Sequence, residues 1–235
     1  MSKSASGSAL LNRRNAAAAA ALALGGVAAE RMSAQVKTAS TGRFEPRRHD
    51  KDDWLDQVPG QHRLVFDTTT PESLSQALLF ANNFLRTNRT DYGLQNSDLA
   101  VVIVVRHRSA PFGFNDAMWA KYGTAAGAHA SFEDPKTKTT PKINVFNATD
   151  YGTLLANRGV TFEALAKLGV QIAVCSASTR AISGVAAKAL GVETDAVFKE
   201  ITSNLVSNAR MVPAGIVTVA RAQERGYALI SNCAV

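Results

Sequence analysis

The feature that most constrains the fold is an unbroken apolar stretch of seven residues, Leu99–Val105. A strand with one face in water alternates polar and apolar residues, whereas this stretch contains no polar residue. Strands that are buried on both faces occur in parallel sheets whose two sides are covered by helices. The sequence therefore predicts the central strand of a parallel sheet here.

Other apolar segments of the chain alternate with segments of helical spacing. A helix is predicted over residues 73–88, with Thr70 as its cap and Pro71 in its first turn. Further strands are predicted at 64–66, 170–174 and 227–231, and residues 211–212 are predicted to be a buried segment. This alternation predicts an α/β protein, a three-layer α/β/α sandwich of flavodoxin-like type around a mostly parallel sheet of about five strands.

The sequence between the second and third predicted strands, residues 115–146, does not show one continuous regular element. Asn115 and Asp116 are expected to cap a short helix, after which residues 123–142 are small and polar. They predict a long loop, and loops of this length are usually functional or mobile. Residues 143–146 predict a short strand or a sheet edge.

Residues 1–29 have the order of an export signal. Arg13-Arg14 precede a moderately apolar run at 16–24, and small residues follow it. This order is typical of twin-arginine export, so we expect cleavage after Ala29 or Ala34 and a periplasmic or otherwise exported protein. The run is shorter than the ~20 residues of a membrane span, so no stable span is expected after cleavage. An alanine-rich helix or a disordered tail is the alternative.

The remainder of the chain divides into an arm and a domain. Residues 30–60 are polar, charged and interrupted by proline, and they predict an extended arm or linker. Trp54 and Leu55 are expected to anchor this arm on the domain. Residues 61–235 then form a single α/β domain of ordinary size.

Charge and motif content argue against several classes of function. The net charge of +7 falls to +4 when Lys3, Arg13 and Arg14 leave with the signal, and no basic block stands out. Binding to nucleic acid therefore has little support. The four histidines are scattered without metal-ligand spacing, and no glycine-rich phosphate loop occurs. Neither a metal nor another cofactor is expected.

One cysteine stands where chemistry is favoured. Cys175 ends the predicted strand 170–174, and the small residues 176–179 predict a turn and the cap of a helix. Ligands of parallel sheets bind at the carboxyl ends of strands, near the positive ends of helices. A helix N-terminus also lowers the pKa of a thiol, and the thiolate is the reactive form. The alternative is a cysteine that packs as a small hydrophobe.

Three segments together are similar to one known family. They are the strand 101–105 with Arg106-His107, the strand 169–175, and residues 211–216, which lead to Arg225-Gly226-Tyr227. On these residues, the chain from about 62 to 231 resembles the DsrE/DsrF-like family of the sulfur-relay fold. The resemblance implies that the cysteine at the end of the corresponding strand accepts a sulfane sulfur as a persulfide and passes it on. It also implies a homo-oligomer.

The resemblance and thiol chemistry together predict a sulfur carrier or sulfurtransferase. Cys175 is the expected catalytic residue, and Arg106, His107 and Arg180 are expected to bind an anionic sulfur species. The partner is either such a small molecule or a protein of a sulfur relay. For Arg106 the alternative is a solvated strand end, and for His107 it is a structural hydrogen bond. The prediction requires a sulfur atom that is ionisable and reachable from solvent.

Cys233 leaves several possibilities open. It follows the last predicted strand, and a disulfide with Cys175 requires Cα atoms within ~7 Å of each other. A resolving thiol, an intermolecular link and an idle tail are the alternatives.

A second function is also compatible with this fold. A non-catalytic periplasmic ligand-binding or oligomeric assembly protein could use the predicted loop 123–142, the aromatic segment 112–114 and the charged N-terminal arm for subunit contacts or as a ligand lid. Replacement of Cys175 by serine distinguishes the two functions, because only the sulfur carrier needs the thiol.

Overall fold

The computed structural model describes residues 45–232, so the predicted signal, the first part of the arm and Cys233 lie outside the described residues. Within this range five strands form one sheet: β1 His62–Thr68, β2 Leu99–Val105, β3 Gln171–Cys175, β4 Ala209–Val212 and β5 Ala228–Asn232. Their order is β4-β3-β2-β1-β5, and each neighbouring pair is parallel. The predicted fold class, an α/β/α arrangement around a parallel sheet of five strands, is confirmed.

Seven helices accompany the strands within the described residues, and side chains cap the first turns of the second, third and fourth. The helices are α1 Trp54–Gln57, α2 Pro71–Asp91, α3 Asp116–Ala130, α4 Phe162–Lys167, α5 Ser176–Leu190, α6 Thr194–Thr202 and α7 Gly215–Gln223. At the start of α2, the Thr70 Oγ1 accepts the Ser73 N–H at 3.1 Å and the Ser73 Oγ accepts the Thr70 N–H at 3.0 Å. A cap of this kind contributes about 1 kcal/mol to helix stability.

The sheet is covered on both faces, which explains the unbroken apolar sequence of β2. One core packs Phe66, Ile103 and Val174 against α2 to α6. The other core packs the alternate strand residues, such as Val102 and Val104, against α1 and α7. Each large side chain buried in this way stabilises the fold by about 1.5–3 kcal/mol.

The segment before β1 belongs to the second core. Trp54 is 8% exposed and Leu55 is fully buried. The Leu55 carbonyl accepts a hydrogen bond from the Tyr227 hydroxyl at 2.7 Å. The expected anchoring of the arm by Trp54 and Leu55 is therefore confirmed.

The connections change face at one place in the sheet. From β1 through β4 the chain steps in one direction, and α2 to α6 pack on one face. After β4 the chain crosses the other face through α7 and adds β5 beside β1. The helices that follow β3 and β4 thus leave toward opposite faces. Such a switch point opens a crevice at the carboxyl ends of the two strands, where open α/β sheets bind ligands.

Two predictions about the middle of the domain are wrong. Residues 123–130 are not a loop, because α3 continues to Ala130 and ends at Ser131, which has a left-handed φ of 49°. The glycines of this segment serve close packing: a Cβ on Gly123 would lie 2.6 Å from the Pro141 carbonyl oxygen. The irregular stretch runs instead from residue 131 to Thr161, with short 3-10 turns.

Residues 143–146 do not form a strand. A 3-10 turn begins at Val145, and the Asn144 side-chain amide donates to the carbonyls of Phe112 and Phe114 at 2.7 and 2.8 Å. Val145 and Phe146 are buried in the larger core rather than paired in the sheet, and Ile143 is exposed. Among residues 45–232, no helix has the length and apolarity needed to cross a membrane.

Candidate functional site

Cys175 lies at the switch point of the sheet. It is the last residue of β3 and the N-cap of α5, and its register partner on β4 is Val212. The start of α7 at Gly215 is three residues beyond Val212. Two helix N-termini, those of α5 and α7, therefore meet at the end of β3.

Two opposing effects act on the Cys175 thiol. Burial acts to raise its pKa, but hydrogen bonds from the backbone N–H groups of Gly215, Ser178 and Ala177 and from the Ser178 hydroxyl outweigh burial. The pKa of Cys175 is therefore lower than the ordinary value of 9.0. Because hydrogen-bond donors favour the charged form of a thiol, the sulfur is prepared for ionisation.

The side chain of Cys175 is largely enclosed. The residue is 5% exposed, and it is a free cysteine among the residues that the structure describes. Its carbonyl accepts the Thr179 hydroxyl at 3.0 Å, which ties the residue to the first turn of α5. Cys175 is not among the residues that line the surface clefts described below.

His107 contributes its backbone to this region. Its N–H donates to the Ser178 Oγ at 3.0 Å, so the main chain after β2 supports a hydroxyl that acts on Cys175. The residue has a left-handed φ of 53°, and its side chain is exposed. The His107 carbonyl oxygen lies 3.0 Å from the His129 Nε2. Burial of the His129 imidazole lowers its pKa. The predicted role of the His107 imidazole in binding substrate stays a prediction.

Arg106 is held by an acidic residue from the neighbouring strand. Its Nε and Nη2 donate to the two carboxylate oxygens of Asp67 at 2.7 and 2.8 Å. The Asp67 side chain is 8% exposed and the Arg106 side chain 24% exposed, so this pair is partly buried. A two-point pair of this kind fixes the guanidinium more firmly than a single contact. The structure thus places Arg106 beside the site, with its charge directed to Asp67.

The Arg180 side chain extends from α5 toward α6 and contacts residues there. Its Nη1 donates to Asp195 at 2.7 Å, and its guanidinium carbon lies 4.0 Å from the centre of the Phe198 ring. The side chain is 53% exposed. The structure therefore directs the Arg180 guanidinium toward α6, and it does not assemble the three predicted binding residues around one point.

Three residues at the site were not predicted from the sequence: Ser178, Asp67 and Gly215. The sequence predicts only a turn and a helix cap at residues 176–179, whereas in the structure Ser178 lies in the first turn of α5. Gly215 lies in the first turn of a helix that the sequence predicts from Pro213 onward, which is a usable signal for a second helix N-terminus. Asp67 is the next-to-last residue of β1 and Arg106 follows β2, and only the register of the sheet shows that they pair.

Surface clefts lie away from Cys175. One, of about 590 Å³, is lined by residues 47–52 together with Pro213, Val217 and Arg221. Another, of about 290 Å³, lies between α3 and α5 and is lined by apolar side chains such as Val185 and Leu190. Cys175 lines neither cleft. No group of histidine, cysteine or acidic residues within 45–232 is arranged to hold a metal ion.

Comparisons with known proteins add little to this geometry. No family model and no curated protein matches the chain. Among solved structures, a protein of unknown function from Methanobacterium thermoautotrophicum, MTH1491, is similar, with 16% sequence identity over 73% of this chain and 99% of that chain and a TM-score of 0.36. This similarity is too low to carry a conclusion about function.

Proposed function

We propose that this protein is an exported sulfur carrier that accepts a sulfane sulfur on Cys175. The observation that carries the proposal is the set of hydrogen-bond donors from α5 and α7 that surround one thiol and lower its pKa. A cysteine that only packs in a core gains nothing from such donors. A cysteine that attacks another sulfur needs them, because the thiolate is the nucleophile.

The reaction is an exchange between sulfur atoms and needs no external oxidant. With thiosulfate as donor, the Cys175 thiolate attacks the outer sulfur and forms a new S–S bond. The S–S bond of thiosulfate breaks, and its electron pair leaves with sulfite. In the second step an acceptor thiolate attacks the outer sulfur of the Cys175 persulfide. The S–S bond to Cys175 breaks, and the Cys175 thiolate is restored.

The enclosure of the thiol supports a small donor. With 5% of the residue exposed, a compact species such as thiosulfate or a short polysulfide reaches the sulfur more easily than a folded protein does. Enclosure also protects a persulfide from further oxidation by bulk reagents. Release to a relay protein would then require a flexible segment or a small thiol as the acceptor.

The experiment that tests the proposal is a mass measurement on the Cys175 peptide. Purified protein is incubated with thiosulfate or with polysulfide, digested without reductant and compared with the Cys175→Ser variant. We expect a mass increase of about 32 Da, one sulfur atom, on the peptide that contains Cys175. The peptide that contains Cys233 is the internal control for non-specific sulfur addition. Absence of the adduct from the Cys175 peptide with both donors contradicts the proposal.

The proposed export has its own test. Replacement of Arg13 and Arg14 by lysine keeps the charge of the signal but removes the arginine pair, so we expect the protein to remain in the cell interior. The same change at Arg47 and Arg48 is a matched control, and export of that variant is expected to continue. Exported material is expected to lack Met1. Retention of Met1 in secreted protein contradicts the proposal.

One observation favours the second function, assembly through apolar surface. On α5, Val185 and Leu190 are 57% and 54% exposed and line the cleft toward α3. Exposed apolar patches of this kind mark contact surfaces. If assembly is the function, Cys175→Ser leaves it intact, whereas Val185→Asp lowers the molar mass that light scattering records in solution.

A further inference from the structure

Gly215 occupies a position where no side chain fits. A Cβ at this residue would lie 2.7 Å from the Cβ of Arg106, 3.0 Å from the Arg106 Cδ and 3.0 Å from the Val104 Cγ1. Carbon atoms in favourable contact are about 3.5–4.0 Å apart. The first turn of α7 therefore lies against the end of β2 as closely as it does only because residue 215 is glycine.

Arg106 has little freedom to move away from Gly215. Its N–H is shared between the Thr68 carbonyl at 3.3 Å and the Ser109 Oγ at 3.0 Å. Its guanidinium is fixed at the other end by the two oxygens of Asp67. The closest contact of a new side chain would be with the Cβ, which moves only with the backbone. A larger residue at position 215 would thus displace α7 rather than Arg106.

We propose that Gly215 is a positioning residue for Cys175, and that the Arg106–Asp67 pair is the fixed surface against which it lies. The missing side chain lets the start of α7 lie against the end of β2. The Gly215 N–H at this start is among the donors that lower the pKa of Cys175. This assigns Arg106 a supporting role that differs from the binding of an anion.

This inference rests on the same thiol as the proposed function, but a different measurement tests it. The rate of alkylation of Cys175 by iodoacetamide is followed across pH in the full protein, with peptide mapping to separate Cys175 from Cys233. We expect Gly215→Ala to move the midpoint of the pH profile upward and to slow alkylation near neutral pH about tenfold, because one hydrogen bond to a charged acceptor is lost.

Gly184→Ala is the matched control. Gly184 lies within α5. Apart from its chain neighbours and the backbone of its own helix, no atom lies within 4 Å of a Cβ placed there. The control makes the same chemical change in α5, the helix whose N-cap is Cys175. Because the added methyl group meets open space, the pH profile of this variant is expected to equal that of the unmodified protein. A rise of the midpoint in both variants to the same extent would overturn the inference, because the effect would then be general.

Arg106→Lys keeps the inference testable if Gly215→Ala does not fold. Lysine preserves the charge, so the direct electrostatic effect on Cys175 is unchanged, but it cannot make the two-point contact with Asp67. We expect the midpoint to rise in the same direction by a smaller amount. Profiles that match the unmodified protein in every folded variant overturn the inference. Changed profiles without any persulfide on Cys175 would instead reject the proposed function and leave the positioning role standing.

Discussion

At the scale of single residues, the state of one thiol depends on a balance between burial and hydrogen bonding. Burial alone would raise the pKa of Cys175, and the hydrogen-bond donors at the starts of two helices lower it below its ordinary value. Ser178 acts on the sulfur of Cys175 and, through its hydroxyl, also accepts a hydrogen bond from the His107 N–H. The main chain after β2 is thereby linked to the sulfur at the end of β3.

Ser178→Ala removes this link. We expect the pKa of Cys175 to rise, since the Ser178 hydroxyl no longer stabilises the thiolate, and the protein to lose about 1 kcal/mol of stability because the His107 N–H loses its acceptor. The pH profile of alkylation and urea denaturation measure the two effects. Ser176→Ala, in the same turn of α5, is the control. An unchanged profile in Ser178→Ala would show that this hydroxyl does not act on the sulfur.

The sequence allowed part of this site to be predicted. Cys175 could be placed at a strand end because strand, turn and helix start are local in sequence. Asp67 and Arg106 are 39 residues apart, and their pairing depends on the register of β1 against β2. The basic side chain of Arg106 suggested that it binds an anionic substrate, whereas in the fold its partner is the carboxylate of Asp67. No local pattern contains that information.

At the scale of elements, the error about α3 shows how composition misleads. Glycine and alanine between residues 123 and 130 resemble loop composition, but these small residues let α3 pack closely against the segment 140–141. Close packing of two backbones needs glycine for a spatial reason, which a propensity scale cannot represent. The strands were predicted more securely because burial on both faces leaves a continuous apolar sequence.

Two substitutions distinguish a glycine that close packing requires from a glycine that only lowers helix propensity. Gly123→Ala places a Cβ 2.6 Å from the Pro141 carbonyl oxygen, so we expect a loss of about 1–3 kcal/mol in the free energy of unfolding. Gly184→Ala in α5 meets open space, so we expect a gain of about 0.5–1 kcal/mol from better helix propensity. Urea denaturation measures both. Stabilisation by Gly123→Ala would contradict the close packing.

At the scale of the whole molecule, the ionisation of Cys175 is coupled to folding. The pKa of the thiol is lower in the folded state than its ordinary value of 9.0. Between these two pKa values the unfolded chain binds more protons than the folded one, so the free energy of unfolding rises with pH across this window. The added stability is complete above the unfolded value and is lost as the pH falls through the folded one.

Comparison with Cys175→Ser isolates this coupling from other titrating groups. We expect the stability of the unmodified protein, relative to the variant, to be larger at about pH 9.5 than at about pH 6. Urea denaturation at the two pH values measures the difference. A relative stability that falls as the pH rises would mean that burial outweighs the hydrogen bonds.

The ionised thiol of Cys175 is the claim on which the proposed chemistry depends, and one measurement tests it most directly. The pH profile of Cys175 alkylation is recorded in the native protein and, for the same peptide, in protein unfolded with urea. We predict a lower midpoint in the native protein, since the donors of α5 and α7 act only in the folded state. A native midpoint at or above the unfolded one, or a native thiol that does not react, would contradict the account.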